Sequence, residues 1–211
     1  MNLPQANIYR DHWCGLITTE QVDQTIRLAG WVHRRRDHGG LVFIDLRDRS
    51  GLIQLVFRPE AIAQELHQQV HRLRAEDVLS VVGKVVRRMP ETVNAKLPTG
   101  EVEVVVSDFK LLADAKTPPF PIDDPELELD ELTRLRHRVL DLRRQPLQEK
   151  LLLRHQIIVA ARECLNSEGF IEMETPFLTR STPEGARDFL VPARNQRGSF
   201  YALPQSPQLF K

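Results

Sequence analysis

The sequence predicts an all-β barrel of five strands followed by a helix-led α+β segment. Three observations carry this. Residues ~25–112 form short stretches of alternating apolar and polar side chains, broken by Gly-containing turns. A proline-rich, acidic stretch follows Leu112. Beyond it, apolar residues recur at three- and four-residue spacing from Pro146 to about Ser167.

The first strand is TIRLAGWVHRRR, with Leu28, Gly30 and Val32 on one face and Ala29, Trp31 and His33 on the other. Asp37-His38-Gly39-Gly40 predicts a turn, because glycine accepts positive φ. LVFIDLRD is the second strand, Ser50-Gly51 a turn, and LIQLVF the third strand. PEAIAQELHQQVHRLRAE predicts a helix starting at Pro59, with Ile62, Leu66, Val70 and Leu73 on one face. DVLSVVGKVVRR and EVEVVVSDFKLL are the fourth and fifth strands, joined by the polar loop MPETVNAKLPTG. Three strands, a helix and two strands is the order of an OB-fold, a barrel that often binds oligonucleotides; another small β-barrel remains the alternative from pattern alone. Residues 1–112 are therefore assigned to the barrel domain, 113–144 to a linker or hinge, and 145–211 to a second domain. In that domain Gly169 is expected to stop the long helix, and FIEMET, RDFLVP and SFYALP are expected strands. The closing SPQLFK is expected to begin a helix, with Ser206 as N-cap.

Composition narrows the function classes. The 211 residues carry 29 Lys and Arg against 29 Asp and Glu. That balance excludes a generally basic nucleic-acid coat and leaves room for a local basic site. No apolar run is long enough to span a bilayer, and the N-terminus lacks signal-peptide character, so a cytoplasmic location without membrane attachment is expected. Cys14 and Cys164 are far apart with no CxxC spacing, and they are expected to be free thiols. None of the seven histidines is assigned to metal, and no metal site is expected.

The wet face of the barrel holds the candidate binding residues. Alternation in LVFIDLRD puts Val42, Ile44 and Leu46 inside and Phe43, Asp45 and Arg47 outside. An outward Phe43 offers a base-stacking platform, or else is covered by other parts of the chain. Arg34, Arg35 and Arg36 end the neighbouring strand, and arginine both pairs with phosphate and stacks on bases. Gln54 interrupts an apolar stripe and could read a base edge. Arg88 and Glu103 lie on the last two strands, and a carboxylate among arginines can accept hydrogen bonds from a base. A solvated salt-bridge face is the competing interpretation of the same pattern.

Three stretches, GWVHRRRDHGGLVFIDLRDRSGLIQLVF, RHRVLDLRR, and FIEMETPFLTRSTPEGARDFLVP followed by FYALPQSPQLFK, resemble bacterial-type aspartyl-tRNA synthetases in the family's own order. PEGARDFLVP and QSPQLFK are the most specific of these. The resemblance implies an OB-fold anticodon-binding domain followed by the start of a class II synthetase catalytic domain. It places Arg36, Phe43, Gln54, Arg88 and Glu103 at anticodon-contact positions. It places Glu184, Gln208 and Lys211 at contacts to the substrate aspartate, with the Lys211 ammonium opposite the side-chain carboxylate. Gln208 and Lys211, three apart, would share a helical face. His38 resembles a histidine found in relatives that charge both aspartate and asparagine tRNAs.

The activity implied is aspartate–tRNA ligation. Aspartate and ATP, with Mg²⁺, give aspartyl-adenylate, and the aspartyl group passes to the 3′ end of tRNA(Asp), and of tRNA(Asn) if specificity is relaxed. The region from the long helix to Pro176 resembles motif 1, which implies a homodimer. The motif 2 and motif 3 arginines lie downstream of QSPQLFK in the family. The expectation is therefore that these 211 residues contain no catalytic residue and are inactive alone. A tRNA-binding module or truncated paralogue without catalysis is the alternative, and a general single-strand-binding OB protein explains residues 25–112 only.

Overall fold

The computed structural model describes residues 7–181, 188–203, 206 and 210. It divides into two compact units, residues 1–147 and 148–211.

Unit 1 is built on a closed five-stranded barrel. Its strands are β1 (Thr25–His38), β2 (Leu41–Asp48), β3 (Gly51–Phe57), β4 (Val78–Arg87) and β5 (Val102–Ala113). They close in the order β1-β2-β3-β5-β4, with β3 and β5 parallel and every other pair antiparallel. Closure gives every strand a neighbour on both sides, with β3 and β5 meeting at Leu55 and Val56. The interior is filled by the expected alternate side chains, among them Leu28, Val32, Ile44, Leu46, Leu55 and Val104, all fully buried.

Several local expectations shift. The turn between β1 and β2 is only Gly39-Gly40, with φ of 57° and 86°, while Asp37 and His38 are still paired to β2. Two residues at positive φ match the twist of the flanking strands, so the hairpin needs no wider turn. The helix expected from Pro59 is shorter: α1 spans Gln64–Val70 and is capped by the backbone of Ala63 without a side-chain bond. Pro59 therefore precedes the helix instead of starting it. Its apolar stripe holds nonetheless, since Ile62, Val70 and Leu73 are buried against the barrel core.

Two glycines sit where backbones nearly touch. A Cβ on Gly30 would lie 2.4 Å from the Arg47 carbonyl oxygen, and one on Gly83 would lie 2.5 Å from that of Val105. A bulge occurs in β1 between Val32 and Arg34, and another register shift occurs at Val82/Gly83. Bulges and small residues together bend strands enough to close a small barrel.

The segment after β5 packs within unit 1. Phe120 and Ile122 are buried, and the Ala115 N–H donates to Asp77 Oδ1 at 2.7 Å. Two short helices follow, α2 (Glu131–Arg136) and α3 (Arg138–Asp141). The arginine-dense stretch is organised around Asp141, which is 1% exposed and accepts from Arg134 Nε at 3.2 Å and Arg138 Nη1 at 3.3 Å. Asp130 caps α2 by accepting from the Thr133 N–H.

The long helix α4 spans Gln145–Ser167, as expected from its spacing, and Gly169 follows at φ 84°. In unit 2, β6 (Leu190–Pro192) and β7 (Phe200–Ala202) form an antiparallel pair where RDFLVP and SFYALP predict strands. FIEMET forms no strand. Its side chains are mostly exposed, and no neighbouring strand among the described residues offers a ladder to stabilise it. The SPQLFK helix start falls, apart from Ser206 and Phe210, outside the described residues.

Candidate nucleic-acid interface

The β1 bulge decides which arginines face outward. Val32 pairs with Leu46, both inside, but the next pair is Arg34 with Asp45, so His33 is the extra residue. Without that insertion Arg34 and Arg36 would share the face of Val32 and point into the barrel, because one slip in register exchanges the two faces. With it, Arg36 stands across from Phe43 on the outer face. Arg35 lies on the other side and donates to the carbonyls of His71 and of Leu73, the latter at 3.0 Å. Arg35 thus holds the end of α1, while its two neighbours are left to the outer surface.

A polar chain runs across three strands. Arg36 Nη2 donates to Asp45 Oδ1 at 3.0 Å and to Gln54 Oε1 at 3.2 Å. Gln54 Nε2 donates to Glu103 Oε2 at 3.1 Å, and Arg88 Nε lies 3.8 Å from the same carboxylate oxygen. The parallel β3–β5 register, Leu55 beside Val104, brings Gln54 and Glu103 level. Gln54 is only 8% exposed, so its amide lies sunk beneath the charges that flank it.

Arg88 also organises the β4–β5 loop. Its Nε donates to the Val102 carbonyl at 3.1 Å and its Nη1 to that of Thr92 at 3.2 Å. Burial lowers its pKa from the ordinary value, and Glu103 opposes that shift. An arginine has ample range, so the group remains a cation.

These side chains line one open cleft of about 590 Å³. Arg36, His38, Phe43, Gln54 and Arg88 all border it, so the structure gathers the candidate residues drawn from four separate sequence stretches. Glu103 adjoins through its bond to Gln54. Arg34, Asp37 and Asp45 complete the strand side. Thr92, Asn94 and Leu97 supply the far wall, and sequence reasoning missed them. Strand alternation says nothing about loop side chains; the only available signal was that the loop is polar and lies between two outer-face candidates.

A second polar cluster lies on another part of β1 and β2. Glu76 accepts from Arg47 Nη2 at 2.7 Å and from Arg143, whose guanidinium sits 4.6 Å from the Trp31 ring centre. Arg47 Nη1 is 2.8 Å from His33 Nδ1. Because guanidinium only donates, that ring nitrogen must accept, and the ring is neutral. Burial, and then the charge of Arg47, accordingly lower the His33 pKa.

Glu184, Gln208 and Lys211 lie outside the described residues. His67 and His71, four apart along the chain, have ring centres 5.1 Å apart. Among the described residues no group of three or more His, Cys, Asp or Glu is arranged to hold a metal ion, and no helix is long and apolar enough to cross a membrane. Both cysteines are free thiols, Cys14 buried and Cys164 exposed.

With this architecture in place, comparison with known proteins is specific. Residues 26–112 match the OB-fold nucleic acid binding domain of the tRNA anticodon type, and residues 130–211 match the class II tRNA synthetases (D, K and N). The chain thus resembles an anticodon-type OB-fold domain over its first part and the class II tRNA synthetases (D, K and N) over its last part. Its curated relatives include aspartate–tRNA(Asp/Asn) ligases. It is 54% identical over 202 residues to that of Thermoanaerobacter pseudethanolicus, covering 96% of this chain and 34% of the relative. It is 57% identical over 206 residues to that of Moorella thermoacetica, covering 98% and 34%. Among solved structures, asparaginyl-tRNA synthetase from Pyrococcus horikoshii, complexed with asparaginyl-adenylate, superposes with a TM-score of 0.82 at 26% identity, covering 97% of this chain and 44% of that one. The chain thus spans 34% of the length of the two ligases.

Proposed function

We propose that the chain is the tRNA-reading and amino-acid-binding portion of an aspartate–tRNA ligase, with the barrel cleft holding the anticodon. The observation that carries this is the cleft itself, where Phe43 stands beside an ordered Arg36–Gln54–Glu103–Arg88 chain. Unpaired anticodon bases need a ring to stack on, fixed donors and acceptors for their edges, and cations for the phosphates. The cleft supplies all three. The decisive experiment is binding of a synthetic tRNA(Asp) anticodon stem-loop to the 211-residue chain. Affinity should fall as salt rises, and Phe43→Ala should weaken it about tenfold or more, in line with ~1–3 kcal/mol for a stacked base. Unchanged binding by Phe43→Ala would remove Phe43 from the proposal.

The remaining assignments rest on the resemblance. Glu184, Gln208 and Lys211 contact aspartate, and ATP with Mg²⁺ serves the adenylation step of the longer enzyme. The resemblance puts the phosphate-stabilising arginine motifs of the family after QSPQLFK, and we propose that the 211 residues alone show no aspartate-stimulated ATP–pyrophosphate exchange. The proposed location is the cytoplasm.

Two finer features belong to the same proposal. Leu151, Ile157, Ile158 and Leu165 of α4 are exposed within unit 2, which suits a homodimer interface in the longer enzyme. His38 borders the cleft, and relatives at 54–57% identity are named for both tRNAs, which supports charging of tRNA(Asn) as well as tRNA(Asp). Charging assays with both tRNAs test this: the His38 assignment fails if the longer enzyme leaves tRNA(Asn) uncharged.

A further inference from the structure

Asp45 is out of place in a cleft built for a polyanion. Its side chain is 18% exposed, it borders the cleft, and a carboxylate there repels phosphate. The geometry shows what it holds. Both Asp45 oxygens lie within 3.3 Å of Arg36 Nη2, the same nitrogen that donates to Gln54 Oε1. Arg36 itself is 52% exposed, so little besides Asp45 keeps its guanidinium against the sheet and not out in solvent.

The Gln54 amide depends on that anchoring. Its oxygen faces a cation that can only donate, and its nitrogen faces the Glu103 carboxylate, which can only accept. Turning the amide over would set NH₂ against guanidinium and oxygen against carboxylate. The orientation is therefore imposed by charge from both ends, and loss of Arg36 would leave only Glu103 to hold it. An oriented amide presents its remaining N–H and lone pair in one order to a base edge, whereas a free one presents both orders and discriminates less.

We propose that Asp45 is a positioning residue for base recognition: it anchors Arg36, and Arg36 fixes the Gln54 amide in a single orientation. The proposal rests on the anticodon interpretation above, and its sign distinguishes it from simple electrostatics. Removing a negative charge from an RNA-binding face should by itself strengthen binding to every RNA. Removing a positioning carboxylate should instead weaken binding to the correct anticodon loop and narrow the preference over loops with an altered anticodon base.

The test compares the wild-type 211-residue chain with Asp45→Asn, using the tRNA(Asp) anticodon stem-loop and stem-loops each carrying one changed anticodon base. The expected result is about a tenfold loss of affinity for the unaltered loop, the scale of a lost charge-assisted hydrogen bond, with altered loops bound equally or more tightly. Arg36→Ala should lose at least as much, and adding Asp45→Asn to it should cause no further loss, because the carboxylate acts through Arg36. Equal tightening for all loops would overturn the proposal. A second arm needs no RNA: the side-chain amide proton signals of Gln54 should move toward free-glutamine positions in Asp45→Asn. Unmoved signals overturn the proposal even if the wild-type chain binds no stem-loop, a result that would separately refute the anticodon interpretation.

Discussion

At the scale of single residues, environment decides behaviour more than identity does. His33 and His38 are five apart on one strand, yet His33 is half-buried beside Arg47 and His38 is exposed at the cleft. The lowered His33 pKa has a definite consequence. As pH falls below the ordinary histidine value of about 6.5, the unfolded chain takes up the proton before the folded one. Stability from this group is therefore complete above that pH and declines as pH drops toward the folded value. Thermal unfolding midpoints between neutral and mildly acidic pH should fall more for the wild type than for His33→Gln. The cysteines differ in the same manner: burial, and then Asp48, raise the Cys14 pKa. A thiol reagent should modify one cysteine, Cys164, in the folded chain and both after denaturation.

At the scale of elements, irregularities carry the design of the barrel. The β1 bulge exchanges the faces of Arg34–Arg36, and just beside it Val32 exchanges backbone bonds with Glu76 and Asp77 at 2.8 Å each. Glu76 sits at φ +71°, a conformation costly for a non-glycine residue, and its carboxylate there meets both Arg47 and Arg143. Glu76→Gln leaves two partly buried cations short of their partner. It should cost about 2–4 kcal/mol, somewhat below a fully buried pair because the arginines keep some solvent, and denaturant unfolding would measure it. Gly30→Ala should destabilise by about 1–3 kcal/mol through forced displacement of the Arg47 backbone. A neutral result would mean that β1 and β2 can separate there without loss.

At the scale of the whole molecule, the two units differ in how completely they cover their apolar surface. Unit 1 encloses a continuous core running from Cys14 to Phe109. Unit 2 leaves Ile157, Phe170, Ile171 and Phe177 exposed, and no side chain on α4 is buried. An exposed apolar surface of that kind marks an interaction site. On the proposed homodimer interface along α4, Ile157→Glu in a full-length ligase should shift sedimentation from dimer toward monomer. An unchanged dimer would place the interface elsewhere.

The sequence by itself determined the strand order, the inside and outside faces of β2, the extent of α4 and the resemblance to synthetases, because each is written in local spacing or in a contiguous motif. PEGARDFLVP and QSPQLFK carried that resemblance without any geometry. Side-chain alternation could not reveal that Arg36 faces Phe43: simple counting from Val32 turns Arg36 inward, and only the extra residue in β1 turns it out. Nor could local pattern unite Gln54 with Glu103, forty-nine positions apart, or show that Thr92 and Asn94 wall the same cleft. Those relations depend on the parallel β3–β5 pairing and on a loop folded around Arg88. Long-range register is a property of the closed sheet, so the tertiary structure alone decided how the binding face is assembled.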